Sequence, residues 1–164
     1  MAELTVLEEK LAEVTGLAMA AKDSAKKVKQ LTRGESDDLV ATLDRMAQEA
    51  AETQERCTQV ASGFSGKKSA ILGEAREVKQ KAVEMRDTYL DEDADALDGF
   101  EFLTMAEAAE VGHWGVLEVL SSGAQEKELA ELVEWALPLQ QRHLETALAG
   151  AKTLAAEEDP FEAA

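Results

Sequence analysis

The chain has 164 residues, of which 45% are hydrophobic, and it carries a formal net charge of −17. This length suits one domain, expected over residues 1–157 with a flexible tail over 158–164, whose core is large enough to fold without disulfides or a structural metal. Because so acidic a surface repels phosphate backbones, nucleic-acid binding is excluded from the expected functions.

Composition also bounds the fold class and the compartment. Two prolines and few aromatic residues, together with many Ala, Glu, Leu and Lys, are typical of long helices, so we expect an all-α protein. The single cysteine, Cys57, excludes an internal disulfide and fits a reducing compartment. No apolar run approaches ~20 residues, and the N-terminus lacks the basic and apolar blocks of a signal peptide. We therefore expect a cytoplasmic protein that does not enter a membrane.

The negative charge is concentrated in the second half of the chain. Residues 1–90 carry 16 acids and 14 bases, whereas residues 91–164 carry 18 acids and 3 bases. An acidic face of this kind commonly serves solubility. Attraction of a cation or of a basic partner is the alternative, and both interpretations stay open at this point.

Two long helices are predicted in the first part of the chain. Apolar residues recur at spacings of three and four over 4–28 and again over 39–64, which is the pattern of one buried seam on each helix. Gly34 is placed where a helix end favours glycine, and Ser36 is a good helix start. The two helices should therefore form an antiparallel hairpin. Cys57 lies on the second seam and is expected to be a small core residue, since no histidine is near enough in sequence to activate it.

Three more helices are predicted in the rest of the chain. The amphipathic segment 71–89 is expected to be a crossover helix that carries the chain along the bundle. The acidic stretch 91–99 lacks the glycine and final glutamate of a calcium-binding loop, so we interpret it as a connection. A third bundle helix follows from about Gly99 and ends in a turn over 121–125, and a fourth runs over about 126–156.

Helix three directs two carboxylates toward the core. Its inward-facing seam consists of Phe100, Leu103, Glu107, Glu110, Trp114 and Leu117. An unpaired carboxylate among large apolar side chains is costly, so it normally has a proton, a basic group or a metal as its partner. His113 follows Glu110 by three residues, and Glu-x-x-His is the unit by which helical bundles hold iron or manganese.

Helix four carries an amide and an imidazole, Gln140 and His143, within its apolar stripe. If the turn lies midway through Ser-Ser-Gly-Ala-Gln, a rise of ~1.5 Å per residue places Gln140 opposite Glu107 and His143 about one turn from it. The same rise separates His113 from His143 by roughly 15 Å, so both cannot bind one metal ion. We therefore predict a compact cluster of Glu107, Glu110, Gln140 and His143, with His113 at one end.

Residues 105–120 resemble the third-helix motif of the YciF-like stress-response branch of the ferritin-like superfamily. That motif has two glutamates three residues apart, then an aromatic-Gly pair and a leucine, here Glu107, Glu110, Trp114-Gly115 and Leu117. Helix two is similar as well, because residues 49–55 match a His-x-x-Glu-Thr signature in which Glu49 replaces the histidine and Glu52 is the acid.

The resemblance implies an antiparallel ferritin-like four-helix bundle with a crossover helix between the second and third bundle helices. It also implies a stress-related role and two metal ions, iron or manganese, held by carboxylates and histidines. The chain departs from the pattern at Ala18 and Gln140, where acids are usual. A reduced or altered metal centre is therefore one expectation, with Glu107, Glu110, His113, Gln140 and His143 as candidate ligands and Glu49 and Glu52 as weaker ones.

The alternative is a metal-free helical bundle in which Glu107, Glu110, Gln140 and His143 form a hydrogen-bonded polar layer that fixes the register of the helices. Such a protein would be structural, or an adaptor that meets a basic partner through its acidic second half. A metal ion, in the first interpretation, and a second copy of the chain as a homodimer are the other expected partners. No residue is assigned a catalytic role, so the sequence leaves open whether the protein is an enzyme.

Overall fold

The computed structural model describes residues 3–162. Its five helices are α1 (Val6–Leu31), α2 (Asp37–Gly63), α3 (Lys68–Tyr89), α4 (Ala96–Ala124) and α5 (Lys127–Ala155). No strand occurs within 3–162. The all-helical prediction is confirmed.

Side chains near the ends of α1 and α4 satisfy backbone amides that have no partner inside the helix. Thr5 accepts a hydrogen bond from the amide of Glu8 while the Glu8 carboxylate accepts one from the amide of Thr5, which forms a capping box. Asp95 and Asp98 make the same arrangement in front of α4. These caps fix where the two helices begin. Helix α1 begins three residues later than the sequence predicts, and α4 begins about three residues earlier.

The turn between α4 and α5 lies later than predicted. Ser-Ser-Gly at 121–123 was expected to break the helix, but α4 continues to Ala124. Ser121 is buried, with 1% of its surface exposed, so packing holds this part of the chain helical. The reversal is made instead by Gln125, whose φ of 57° is in the left-handed region.

Helix α1 packs against α2, α3 and α4, and α5 packs against α4 and, less extensively, against α2. The α1–α3 approach is close because α1 has a glycine at position 16. A Cβ added to Gly16 would collide with the carbonyl oxygen of Ala75 and the side chain of Val78 on α3. Helix α3, the segment expected to be a crossover, is thus a regular helix that lies along α1.

The core consists of two apolar clusters at different levels along the helices. One contains Leu11, Cys57, Ile71, Trp114, Leu117 and Leu129, and the other contains Val28, Leu43, Phe100, Leu103, Ala147 and Leu154. On α4 the first cluster begins at Trp114 and the second ends at Leu103, and on α5 the gap falls between Ala136 and Ala147. A middle level therefore separates the clusters. Of the helices described, none is long and apolar enough to cross a membrane.

Candidate functional site

The middle level holds the four side chains of the predicted cluster. Glu107 and Glu110 of α4 have 2% and 3% of their surface exposed, and Gln140 and His143 of α5 have 3% each. The burial expected from the seam of α4 is therefore observed. Three-four spacing gives this result because it is the period of a helix, so the carboxylates must share the face of Phe100 and Trp114.

Glu107 and His143 join α4 to α5 and α2. The Glu107 carboxylate accepts a hydrogen bond from Nε2 of Gln140, and its Oε2 lies 3.7 Å from Nδ1 of His143. On the other side of the ring, Nε2 of His143 is 2.6 Å from Oε2 of Glu49 on α2. Glu49 also accepts a hydrogen bond from Nη2 of Arg142 at 3.0 Å. The imidazole thus lies between carboxylates from two other helices.

This placement favours the charged imidazolium. Burial alone would lower the pKa of His143, but the nearby Glu107 carboxylate, followed by the hydrogen bond and the charge of Glu49, raises it above the ordinary value of 6.5. Burial would raise the pKa of Glu49, but the hydrogen bond and charge of His143, with the Arg142 guanidinium, lower it below 4.5. Two carboxylates therefore face one imidazolium and one guanidinium, and their formal charges balance.

Glu110 differs from Glu107 in having no partner. Neither of its carboxyl oxygens takes part in a hydrogen bond or ion pair with any residue in 3–162. Burial, and then the charge of Glu107, raise the pKa of Glu110 well above 4.5. The carboxyl faces a cleft between α1, α3 and α4. Because burial disfavours the charged form, the protonated carboxyl is favoured when no cation is bound.

Two other predicted residues lie apart from this cluster. His113 points toward α1, where its Nδ1 is 3.0 Å from Oε2 of Glu13, and 41% of its side chain is exposed. Glu52 is half exposed and forms an ion pair with Arg56 one turn further along α2, at 2.8 Å. Neither side chain contacts Glu107 or His143. Glu49, a weaker candidate by sequence, is the one that joins the cluster.

Two residues with a role at the site were not predicted. Glu13 binds His113 across 100 residues of sequence, and Arg142 compensates part of the charge of Glu49. Arg142 directly precedes His143 in the sequence, but a basic residue next to a buried histidine is only a weak indication that it belongs to the site. For Glu13 the sequence around it gives no comparable signal.

No family model, curated protein or solved structure matches the chain. The ferritin-like resemblance therefore stays a prediction, and the candidate site is interpreted from its own geometry.

The placed side chains do not fit a metal centre. Within residues 3–162, no group of three or more His, Cys, Asp and Glu side chains is arranged to hold a metal ion. The physical reason is that Nε2 of His143 is already hydrogen-bonded to Glu49, so this nitrogen is not free to bind a metal ion. His113 and Glu52, which would complete a larger set, point elsewhere.

Cys57 belongs to the first apolar cluster and is fully buried. Burial raises the pKa of its thiol to about 12. The thiolate, which is the reactive form, is therefore strongly disfavoured. This agrees with the expectation of a small core residue rather than a nucleophile.

Proposed function

We propose that this protein is a ferritin-like helical bundle with a structural or adaptor role, in which Glu49, Glu107, Gln140 and His143 form a polar layer whose charge is balanced with the help of Arg142 and which requires no metal. We call these four residues the polar layer. The observation that carries the proposal is the position of the His143 ring between the carboxylates of Glu49 and Glu107.

The helix contacts support a four-helix bundle with a crossover. Helix α1 contacts α2 and α4, and α5 contacts the same two helices, so these four helices close a ring around the polar layer. Helix α3 lies outside this ring along α1 and connects the second bundle helix to the third. This is the arrangement that the ferritin-like resemblance implies.

The balance of charge supports a role in fixing register. A divalent ion at the layer would have to displace the proton of His143 and break its bond to Glu49, and it would find Gln140 where an acid is usual. Together with Arg142, the layer compensates both carboxylates without an ion. Because a one-turn slip of α5 would leave buried charges unpaired, the layer favours a single alignment of the helices.

Metal analysis tests this proposal against the predicted iron or manganese centre. The purified chain is incubated anaerobically with excess Fe²⁺, or with Mn²⁺, then desalted and analysed by plasma mass spectrometry. We expect far less than one ion per chain, and no difference between the native chain and Glu107→Gln. Retention of about one or two ions by the native chain, lost in the variant, would establish a metal centre and overturn the proposal.

A further inference from the structure

A cleft of about 240 Å³ opens between α1, α3 and α4, next to the polar layer but not part of it. Its walls are mainly apolar and include Leu17 of α1, Ala82 and Met85 of α3, and Phe102 of α4. Met85 is 64% exposed, so the cleft is accessible from solvent on the α3 side. Two carboxyl groups, those of Glu107 and Glu110, also line it.

Glu110 points to the chemistry of an occupant. Its side chain is 97% buried, and no hydrogen bond or ion pair to the described residues satisfies its carboxyl. The Glu107 carboxylate, by contrast, is already bonded to Gln140. Buried polar groups are generally satisfied, so a carboxyl that faces a cleft without a protein partner is suited to bind a donor on a ligand.

The lining selects among ligand classes by charge. No Lys or Arg lines the cleft, so an anion would meet two carboxyl groups with no lysine or arginine to compensate their charge. A bare metal ion would find too few donors among walls of Leu, Ala, Met and Phe. An ammonium group on an apolar body matches both parts of the lining, because the head can bind a carboxylate while the body contacts the walls.

We propose that this cleft binds a small organic cation, a primary ammonium on an apolar body, with Glu110 as the group that receives the ammonium. The volume of about 240 Å³ lies below the roughly 300–1,000 Å³ of pockets for drug-sized ligands, so the body is one ring or a short chain. Glu110 lies outside the polar layer, and of the four residues of the layer only Glu107 lines the cleft.

Three probes that share a phenylethyl body test the charge preference by isothermal titration calorimetry: 2-phenylethylamine, 2-phenylethanol and 3-phenylpropionate. We expect the amine to bind at least tenfold more tightly than the alcohol, and the acid to show no binding. Glu110→Gln should weaken amine binding at least tenfold. Glu118→Gln, at an exposed position on the same helix, is the matched control and should leave amine binding unchanged.

A second variant keeps the test decisive if Glu110→Gln fails to fold. Ala82→Phe fills the cleft from α3 and should abolish amine binding while the circular dichroism spectrum stays unchanged. Several outcomes would overturn the proposal: no amine binding at millimolar concentration, equal binding of the alcohol, or retention of amine binding in either cleft variant. Displacement of the amine by equimolar Mn²⁺ would also overturn it, in favour of a metal site.

Discussion

The imidazole of His143 makes the contacts that hold α5 to α2 and α4 at the middle of the bundle. Its Nε2 is hydrogen-bonded to Glu49, and its Nδ1 faces Glu107. All three groups are largely buried, so the energy of each depends on the presence of the other two. Removal of the ring would leave the carboxylates of Glu49 and Glu107 with Arg142 alone to compensate their negative charge.

We predict that His143→Gln lowers the free energy of unfolding by about 2–4 kcal/mol at pH 6, because breaking a buried ion pair leaves the remaining charge without its partner. Urea denaturation followed by circular dichroism measures this loss. Arg142→Gln is the matched control: its ion pair with Glu49 involves a side chain that is 55% exposed, so it should cost less than about 1 kcal/mol. Equal losses in the two variants would contradict the assigned role of His143.

The pH dependence of stability should also report His143. Its pKa is raised in the folded protein above the ordinary value of 6.5, so the stabilisation is fully present below pH 6.5 and is lost as pH rises through the folded pKa. The difference in free energy of unfolding between the native chain and His143→Gln should therefore shrink between pH 6 and pH 9. A difference that grows over this range would show that the ring is neutral in the folded state.

Glu110 should also make stability fall as pH rises, but it does so by destabilising the folded state at neutral pH. Its folded pKa is raised above 4.5, so the folded state holds a proton that the unfolded chain releases, and stability falls as pH rises above 4.5. Glu110→Gln cannot titrate and should be more stable than the native chain at pH 8, by about 1–3 kcal/mol. At pH 4 the two should be nearly equal. A constant difference across this range would contradict the assignment.

At the scale of the helix, local periodicity was sufficient to predict all five elements and the inward direction of Glu107 and Glu110. The turn at 121–125 was misplaced because Ser and Gly favour turns in isolation, whereas the burial of Ser121 keeps that segment helical. Contacts between helices distant in sequence were largely beyond prediction. The bond between His143 and Glu49 spans 94 residues, and its register depends on how all the helices pack rather than on any local signal.

The α1–α3 contact provides a prediction at the same scale. A Cβ at Gly16 would overlap the backbone of α3, which cannot move as a single side chain could, so Gly16→Ala should destabilise the protein by about 1–3 kcal/mol or more. Gly112→Ala on α4 is the matched control, since a Cβ there meets open space. That variant should gain about 0.5–1 kcal/mol from helix propensity. Urea denaturation measures the free energy of unfolding of the two variants. Equal losses of stability in both would contradict a specific clash at Gly16.

For the whole molecule, the net charge of −17 implies repulsion among surface carboxylates. Sodium chloride screens this repulsion, since the Debye length falls from about 30 Å at 0.01 M to about 10 Å at 0.1 M. We therefore predict that Tm rises by several degrees between these concentrations at pH 7, as measured by differential scanning calorimetry. A fall in Tm would show that ion pairs such as Lys29–Asp44 outweigh the repulsion.

The negative net charge also affects how the protein associates with a second copy of itself or with another protein. The homodimer and the basic partner stay predictions, and sedimentation velocity tests the first directly. Two copies of so acidic a chain repel each other, so a dimer should strengthen with added salt, whereas a complex with a basic protein should weaken.

The buried thiol of Cys57 gives the unmodified chain an internal reporter. An alkylating reagent cannot reach a sulfur that is fully enclosed and held as the thiol, so labelling requires a transient opening of α2. The labelling rate under native conditions therefore measures the free energy of that opening without denaturant. Mass spectrometry of the intact protein follows this labelling, so substitutions at the middle level and on the face between α1 and α3 could be ranked by their effect on the free energy of opening.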